Sequence, residues 1–413
     1  MKVRSAILVG LLVREAFSFW TGHPFDFELT VRLGYWMLHG SNPYGVLAEA
    51  PGLSFANVFS QYNSATIAYL PFWPFVTASI YLLYSLVGSG DRFVYYFLLK
   101  QPVVLGDVGL AYAVYEYTLR RGAERAEWAL RLWLFMPFTI IVSSMWGTFD
   151  SLAMCFVVLS MSGASYLRRS AYEGLAILAK SIPVIFALPL LVRRPSRSWG
   201  LLVAAVIPLS VTALALGLYG WSFGITASTL LSTANKGGES MSFFDLLYLL
   251  NYAGLLPQQF PTYLLGLVWV PGVIITTLIA IKRFGLDTDQ GIVQTMLAAA
   301  LSFLILKAQV NEQYAIYLLA LAMIDVSIWN TDRKRLLYWT FVISTLFLLT
   351  NNLLLIRFAS PVFPEAVSID NTLDAQLGLF RFVAKFILGS CFTVLNLLYI
   401  ASVFRKTRWN VQR

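Results

Sequence analysis

Three carboxylates in this chain stand where a side chain could take a proton from a bound hydroxyl. Asp26 and Glu28 lie in the polar, aromatic stretch TGHPFDFELTVRLGYWMLHGSNPY over residues 21–44, and Asp150 closes the turn Trp146-Gly147-Thr148-Phe149-Asp150. One carboxylate within hydrogen-bond reach is enough to turn a sugar hydroxyl into a nucleophile, and a second can orient the acceptor. Both aspartates also have a structural reading, because each stands at the start of a helix-like run, where a carboxylate caps backbone N–H groups. Glu28 faces another side of the same helix as Asp26, so the two cannot approach one substrate atom equally. Asp26 is the first choice as base.

Cations and rings complete the candidate set. Lys307 sits about one turn inside an apolar run, where an ammonium is costly unless it has a partner or an anion to bind. Lys180, in Lys180-Ser181-Ile182-Pro183, interrupts another apolar run and meets the same argument. Lys100 and Asp107 share one helical face two turns apart and can simply pair with each other. Arg14, Arg92 and Arg357 lie near the ends of apolar runs, where snorkelling accounts for them. Glu312, in Asn311-Glu312-Gln313-Tyr314, reads either as a solvated helix start or as a ligand contact. Aromatic residues make up 15% of the chain, and most serve as interfacial belt and packing. Trp20, Tyr35, Trp36, Tyr44, Tyr62, Tyr69, Trp73 and Trp146 nevertheless cluster in the polar segments, where rings beside carboxylates suit a sugar surface.

The elements that must hold these residues are membrane helices. Of 413 residues, 58% are hydrophobic and 12% charged, with a mean hydropathy of +0.69, which indicates an all-α polytopic bundle. The net charge of +9 does not point to nucleic acid, since Lys and Arg fall in short clusters between apolar runs, as the positive-inside rule requires. Met1-Lys2-Val3-Arg4 leads into an apolar run without a small-residue cleavage site, a first span rather than a removable signal. Cys155 and Cys391 lie in separate apolar runs, and neither a disulfide nor a metal site is expected. No GxxxxGK[ST] or GxGxxG spacing follows a strand-like run, which excludes the usual nucleotide-binding loops.

Taking apolar runs of about 17–25 residues as spans, the sequence predicts ten: 4–20, 101–119, 128–145, 149–167, 199–218, 260–282, 290–307, 314–330, 334–356 and 380–404. Two further runs, 65–88 and 171–192, read as broken or returning hairpins, the first aromatic and the second turning at Lys180. That arrangement puts the basic clusters on one side. It leaves 21–64, 146–150, 219–259 and 309–314 on the outer side, with Asn235, Lys236, Gly237, Gly238, Glu239 and Asp245 in the third. Within 21–44 a short amphipathic interfacial helix is expected, capped at its start by Asp26 and stopped by Gly40 and Asn42-Pro43. One integral domain, 1–413, is expected, with a first module over 1–218 and C-terminal helices over 219–413.

A first span, a long outer loop with an acidic residue and a Gly-x-Asn-Pro-Tyr ending, a WG-x-FD turn, a K-x-x-P element and a Glu-Gln-Tyr segment together resemble the GT-C superfamily of integral membrane glycosyltransferases. The likeness covers most of 1–330 and is nearest to prokaryotic mannosyltransferase-like enzymes that use polyprenyl-phosphate sugars, distant relatives of GPI mannosyltransferases. The resemblance implies Asp26 as catalytic base, with Glu28 completing D-x-E in place of D-x-D, and Asp150 as a second acidic position. It also implies Lys180–Pro183 as the K-x-x-P element and Asn311-Glu312-Gln313-Tyr314 as the counterpart of an H-E-x-Y-like segment, with Asn311 in place of His.

The resemblance further implies a donor with its lipid tail in the bilayer, whose sugar is transferred with inversion to a hydroxyl of a lipid-linked glycan, glycolipid or protein acceptor. The leaving group is a phosphate monoester, so cations such as Lys307, Arg357 and Lys100, with Lys180 as a further candidate, can stabilise its charge without a bound metal or other cofactor. Trp146, Glu312, Gln313 and Tyr314 complete the substrate-binding candidates. The expected partners are a polyprenyl- or dolichyl-phosphate sugar, the acceptor and membrane lipids, in a prokaryotic plasma membrane rather than the endoplasmic reticulum, with the site facing outside. Readings from other classes are a secondary transporter or flippase, which broken helices and intramembrane charges also suit, and a noncatalytic subunit that keeps the fold.

Overall fold

The computed structural model describes residues 2–56, 67, 69–192, 197–234, 240–242, 250 and 262–405. Tyr62, Asn235, Lys236, Gly237, Gly238, Glu239 and Asp245 lie outside the described residues. Among the described residues the regular structure is helical throughout. The helices are α1 (Val3–Ser18), α2 (Asp26–Leu38), α3 (Phe72–Val87), α4 (Arg92–Leu119), α5 (Ala123–Phe135), α6 (Pro137–Ile140), α7 (Asp150–Ser162), α8 (Tyr166–Ala179), α9 (Val184–Leu191), α10 (Arg197–Tyr219), α11 (Phe223–Ala234), α12 (Thr262–Phe284), α13 (Asp289–Leu306), α14 (Ala315–Ile328), α15 (Lys334–Asn351) and α16 (Ala366–Phe404). Every residue of α14 is buried. A helix apolar on all sides belongs at the centre of a bundle, and α4, α5, α7, α13 and α15 pack around it.

Among the described residues four helices are long and apolar enough to cross a membrane, α4, residues 199–219 of α10, α13 and α16, or up to six if each of two bent pairs is one span. The sequence reads about ten, and the difference has local causes. The run at 128–145 is bent by 54° between α5 and α6, because Pro137 forces Met136 into extended backbone at ψ 126. Helix α7 stops after 13 residues at Gly163. The run at 334–356 bends by 64° after Asn351, where Leu353, Leu354 and Leu355 all take positive φ. Helix α16, expected to start near 380, begins at Ala366 and has 39 residues. At about 1.5 Å per residue it is roughly 58 Å long, nearly twice the hydrocarbon thickness.

The run at 171–192 does break at its middle: α8 ends at Ala179, Lys180 is extended, and α9 starts after Pro183. The run at 65–88 is different. Its residues 72–87 form one continuous helix, not two arms, ended by Gly88 at φ 65.

Buried charges fix the helices sideways. Arg14 and Asp107, both 0% exposed, are paired through Arg14 Nε to Asp107 Oδ2 at 2.7 Å, and Trp133 Nε1 donates to Asp107 Oδ1 at 3.0 Å. Arg14 therefore does not snorkel, and Asp107 is not the partner of Lys100. Near the C-terminal end of α14, Asp325 accepts from Arg333 Nη1 at 2.8 Å and from Asn330 Nδ2 at 2.7 Å, tying α14 to the start of α15.

Candidate active site

The helix α2 begins and ends where its sequence signals lie, at Asp26 and before Gly40. Its charged residues turn inward, against the expectation for a helix in the headgroup zone. Glu28 and Arg32 are 0% and 3% exposed and joined at 2.7 Å. Glu28 Oε2 accepts from Phe55 N at 2.9 Å, and Arg32 donates to Ala56 O at 3.1 Å and Leu47 O at 3.4 Å. This i,i+4 pair organises the chain over 47–56. Burial pushes the Glu28 carboxyl up, while its bonds from Phe55 and Arg32 pull it down.

The N-terminus of α2 is capped by a histidine. His23 Nδ1 accepts from Phe25 N at 3.3 Å and Asp26 N at 3.2 Å. A ring nitrogen that accepts carries no proton, so the 3.8 Å approach of Nδ1 to Asp26 Oδ2 is no ion pair. Burial drives the ring down to about 4, with Arg357 adding to the descent and Asp26 opposing it. Capping thus falls to His23, and the Asp26 carboxylate is released: its Oδ2 accepts from Trp146 Nε1 at 2.7 Å, and the side chain is 33% exposed.

Trp146 ends a six-residue π-helical turn, Ile141–Trp146, and is followed by Gly147 at φ 87. A Cβ on Gly147 would lie 3.0 Å from the Phe27 ring and 3.5 Å from Lys100 Cε, so glycine is required by both conformation and space. Lys100 holds this turn from behind. Its Nζ donates to Thr21 O at 2.5 Å, Ser144 O at 2.6 Å and Thr21 Oγ1 at 3.0 Å, and lies 4.8 Å from the Phe27 ring centroid. The His23 and Trp146 rings stack at 4.9 Å, with Phe358 5.8 Å from Trp146.

Beside this group, Asp150 is the first residue of α7 and caps nothing through its side chain. Its Oδ2 accepts from Lys180 Nζ at 2.7 Å, with both side chains at most 5% exposed. The Lys180 ammonium lies 5.2–5.7 Å from the rings of Phe149, Tyr314 and Tyr69, an aromatic cage around a cation. Asp150 Oδ1 and the Tyr317 hydroxyl are both buried, and the two groups face each other. Burial, and then the charges of Asp26 and Asp150, hold the Tyr69 phenol well above the usual range and so protonated.

Asp26, Trp146, Asp150, Lys180 and Tyr314 thus meet around Tyr69. Arg357 joins beside His23; its Nε donates to Asp370, and it is 25% exposed. The other candidates are engaged elsewhere. Glu28 and Lys100 are structural struts. Glu312 accepts from Asn351 Nδ2 at 2.7 Å, Gln313 is buried beside it with Oε1 unbonded, and Lys307 Nζ lies 5.6 Å from the Trp269 ring centroid. Asp150 and Tyr314 stand at the starts of α7 and α14 and Lys180 at the end of α8, whereas Arg168-Arg169 lie in the first turn of α8 and Arg333-Lys334-Arg335 follow the end of α14.

Sequence reasoning misses His23, Tyr317 and the place of Tyr69 between the acids. His23 is one of only two histidines in the chain and lies three residues before Asp26. Tyr317 lies one turn beyond Tyr314 on the same helix face. Both are signals that the sequence carries.

No family model matches the chain, and no curated protein matches it. Solved structures similar at a low level include ArnT from Cupriavidus metallidurans bound to undecaprenyl phosphate, 16% identical with a TM-score of 0.48, and ArnT from the same organism in the apo state, 14% identical with 0.49. Each comparison covers 97% of this chain and 76% of the other.

Proposed function

We propose that this chain is a membrane-embedded glycosyltransferase of the GT-C type. It moves a hexose, with mannose as first candidate, from a polyprenyl- or dolichyl-phosphate donor to a hydroxyl of a lipid-linked glycan, glycolipid or protein at the outer membrane face. The observation that carries the reading is the Asp26 carboxylate, oriented by Trp146 at 2.7 Å and one-third exposed, beside an otherwise buried cluster of acid, ammonium and rings.

In this reading Asp26 accepts the acceptor's hydroxyl proton as the oxygen attacks the anomeric carbon from the face opposite the phosphate. The bond from that carbon to the phosphate oxygen breaks, the configuration inverts, and a polyprenyl phosphate monoester leaves. Arg357 stabilises the developing charge, because its terminal nitrogens have no partner among the described residues. Lys180, balanced by Asp150 and caged by rings, is the second cation. Tyr69, protonated between the two acids, donates to a sugar hydroxyl or to the leaving phosphate. The reaction needs no metal.

Transfer of radiolabelled sugar from a panel of synthetic polyprenyl-phosphate sugars, by protein purified in detergent with native lipid extract as acceptor, tests this. Product is expected from the wild type with and without EDTA, and not from folded Asp26→Asn. A protein that binds lipid-linked sugar yet consumes no donor under any condition would point instead to the flippase or noncatalytic-subunit reading.

A further inference from the structure

At the end of the bundle opposite Asp26, a cavity of about 470 Å³ opens between the turn after α4 and the start of α13. Its wall includes Tyr117, Arg120, Arg121, Asp289, Gln290 and Trp329. That volume lies in the range of small-molecule sites. Its depth is fixed by the helices: α4 and α13 both have the length and apolarity of membrane spans, and the cavity lies where α4 ends and α13 begins. It therefore stands at the level of phospholipid headgroups.

The charges there are available. Arg120 stacks over the Tyr117 ring at 5.1 Å and approaches Asp289 Oδ2 only to 3.6 Å, with both side chains about half exposed, a pair of little strength in water. Arg121 has no hydrogen bond or ion pair from its side chain among the described residues. Two guanidiniums against one carboxylate leave a net positive charge, and guanidinium matches the geometry of a phosphate.

We propose that this cavity binds the phosphate of an anionic phospholipid, with Arg120 and Arg121 on the phosphodiester. The depth of the cavity, at the adjoining ends of two span-like helices, favours a lipid over a free phosphate, and the cations favour an anionic lipid over a zwitterionic one. The site is independent of the transfer chemistry.

Native mass spectrometry of the delipidated full-length protein, with phosphatidylglycerol or phosphatidylcholine added, provides the test. Phosphatidylglycerol is expected to be retained about tenfold better than phosphatidylcholine. The preference is expected to vanish in Arg120→Gln/Arg121→Gln. It is expected to persist in Arg120→Lys/Arg121→Lys and in Lys282→Gln/Arg283→Gln, which removes an exposed basic pair at the same end. Equal retention of both lipids by the wild type, or an unchanged preference in the Gln double variant, overturns the proposal. So does loss of bound phosphatidylglycerol to millimolar inorganic phosphate, which would make this a free-phosphate site. Should the Gln variant not fold, the wild-type lipid comparison and the phosphate competition still decide.

Discussion

Asp26 and Glu28 are both acidic, two residues apart, and have opposite fates because of what surrounds each. Glu28 has an arginine one turn away and a backbone amide on its other oxygen, so it is fully engaged and buried. Asp26 has one donor, the Trp146 indole, and an open side. Replacement Asp26→Asn is expected to lower kcat by about 10²–10⁴-fold, the usual worth of a general base, with donor binding retained. Glu28→Gln is expected to lower the melting temperature and leave the kcat of folded protein within a few-fold; transfer rates and thermal denaturation in detergent separate the two. His23 adds a pH dependence. Its ring is driven to about 4 in the folded chain from an ordinary 6.5. Between those values the unfolded chain binds a proton that the folded chain does not, so stability is full above about 6.5 and falls as pH drops towards 4. The loss is on the order of 3 kcal/mol over the whole window. Melting temperatures measured from pH 7.5 to 4.5 should show this slope in the wild type and a shallower one in His23→Gln.

Two short irregular elements place the site. The π-helical turn swings Trp146 over Asp26, and Gly147 lets the chain reverse against Phe27 and Lys100. Gly147→Ala is expected to cost about 1–3 kcal/mol through its left-handed backbone, visible as a lower melting temperature. It should also reduce transfer, since the added Cβ presses on the Phe27 ring beside Asp26 and strains the turn that carries Trp146. The second element is the turn Leu353–Leu355, where three leucines in succession have φ of 41°, 53° and 73°. Left-handed backbone costs a side chain roughly 1–2 kcal/mol per residue, and this turn delivers Arg357 and Phe358 to His23 and Trp146. Leu354 is 76% exposed, so Leu354→Gly relieves strain without opening a cavity. It is expected to raise the melting temperature by a few degrees, about 1 kcal/mol. An unchanged or lower value would mean that the leucine side chain contributes more through its apolar contacts than its backbone loses.

The whole bundle rests on charges buried between helices. Arg14 and Asp107 lie between α1, α4 and α5, with Arg14 Nη1 also bonded to Leu134 O at 2.9 Å. Asp107→Ala leaves an unbalanced guanidinium at that depth and is expected to destabilise by roughly 3–5 kcal/mol. The double change Arg14→Met/Asp107→Leu removes both charges and should recover most of the loss, which thermal denaturation of the three variants checks.

Composition and apolar run length by themselves determined an all-α polytopic bundle, because only helices satisfy their own backbone groups in hydrocarbon. Local signals also sufficed for α2 between Asp26 and Gly40 and for the break at Lys180-Ser181-Ile182-Pro183, since caps and prolines act on their immediate neighbours. Partner choice did not follow from sequence. The spacing of Lys100 and Asp107 allowed a pair, yet Asp107 met Arg14 across 93 residues and Lys100 met carbonyls of 21 and 144. The leucines at 353–355 carry no left-handed signal at all, since leucine is a strong helix former. Only the packed bundle decided which acid stayed open and which rings caged Lys180, because those contacts join segments far apart in the chain, whose separations are set by helix packing rather than by local backbone chemistry.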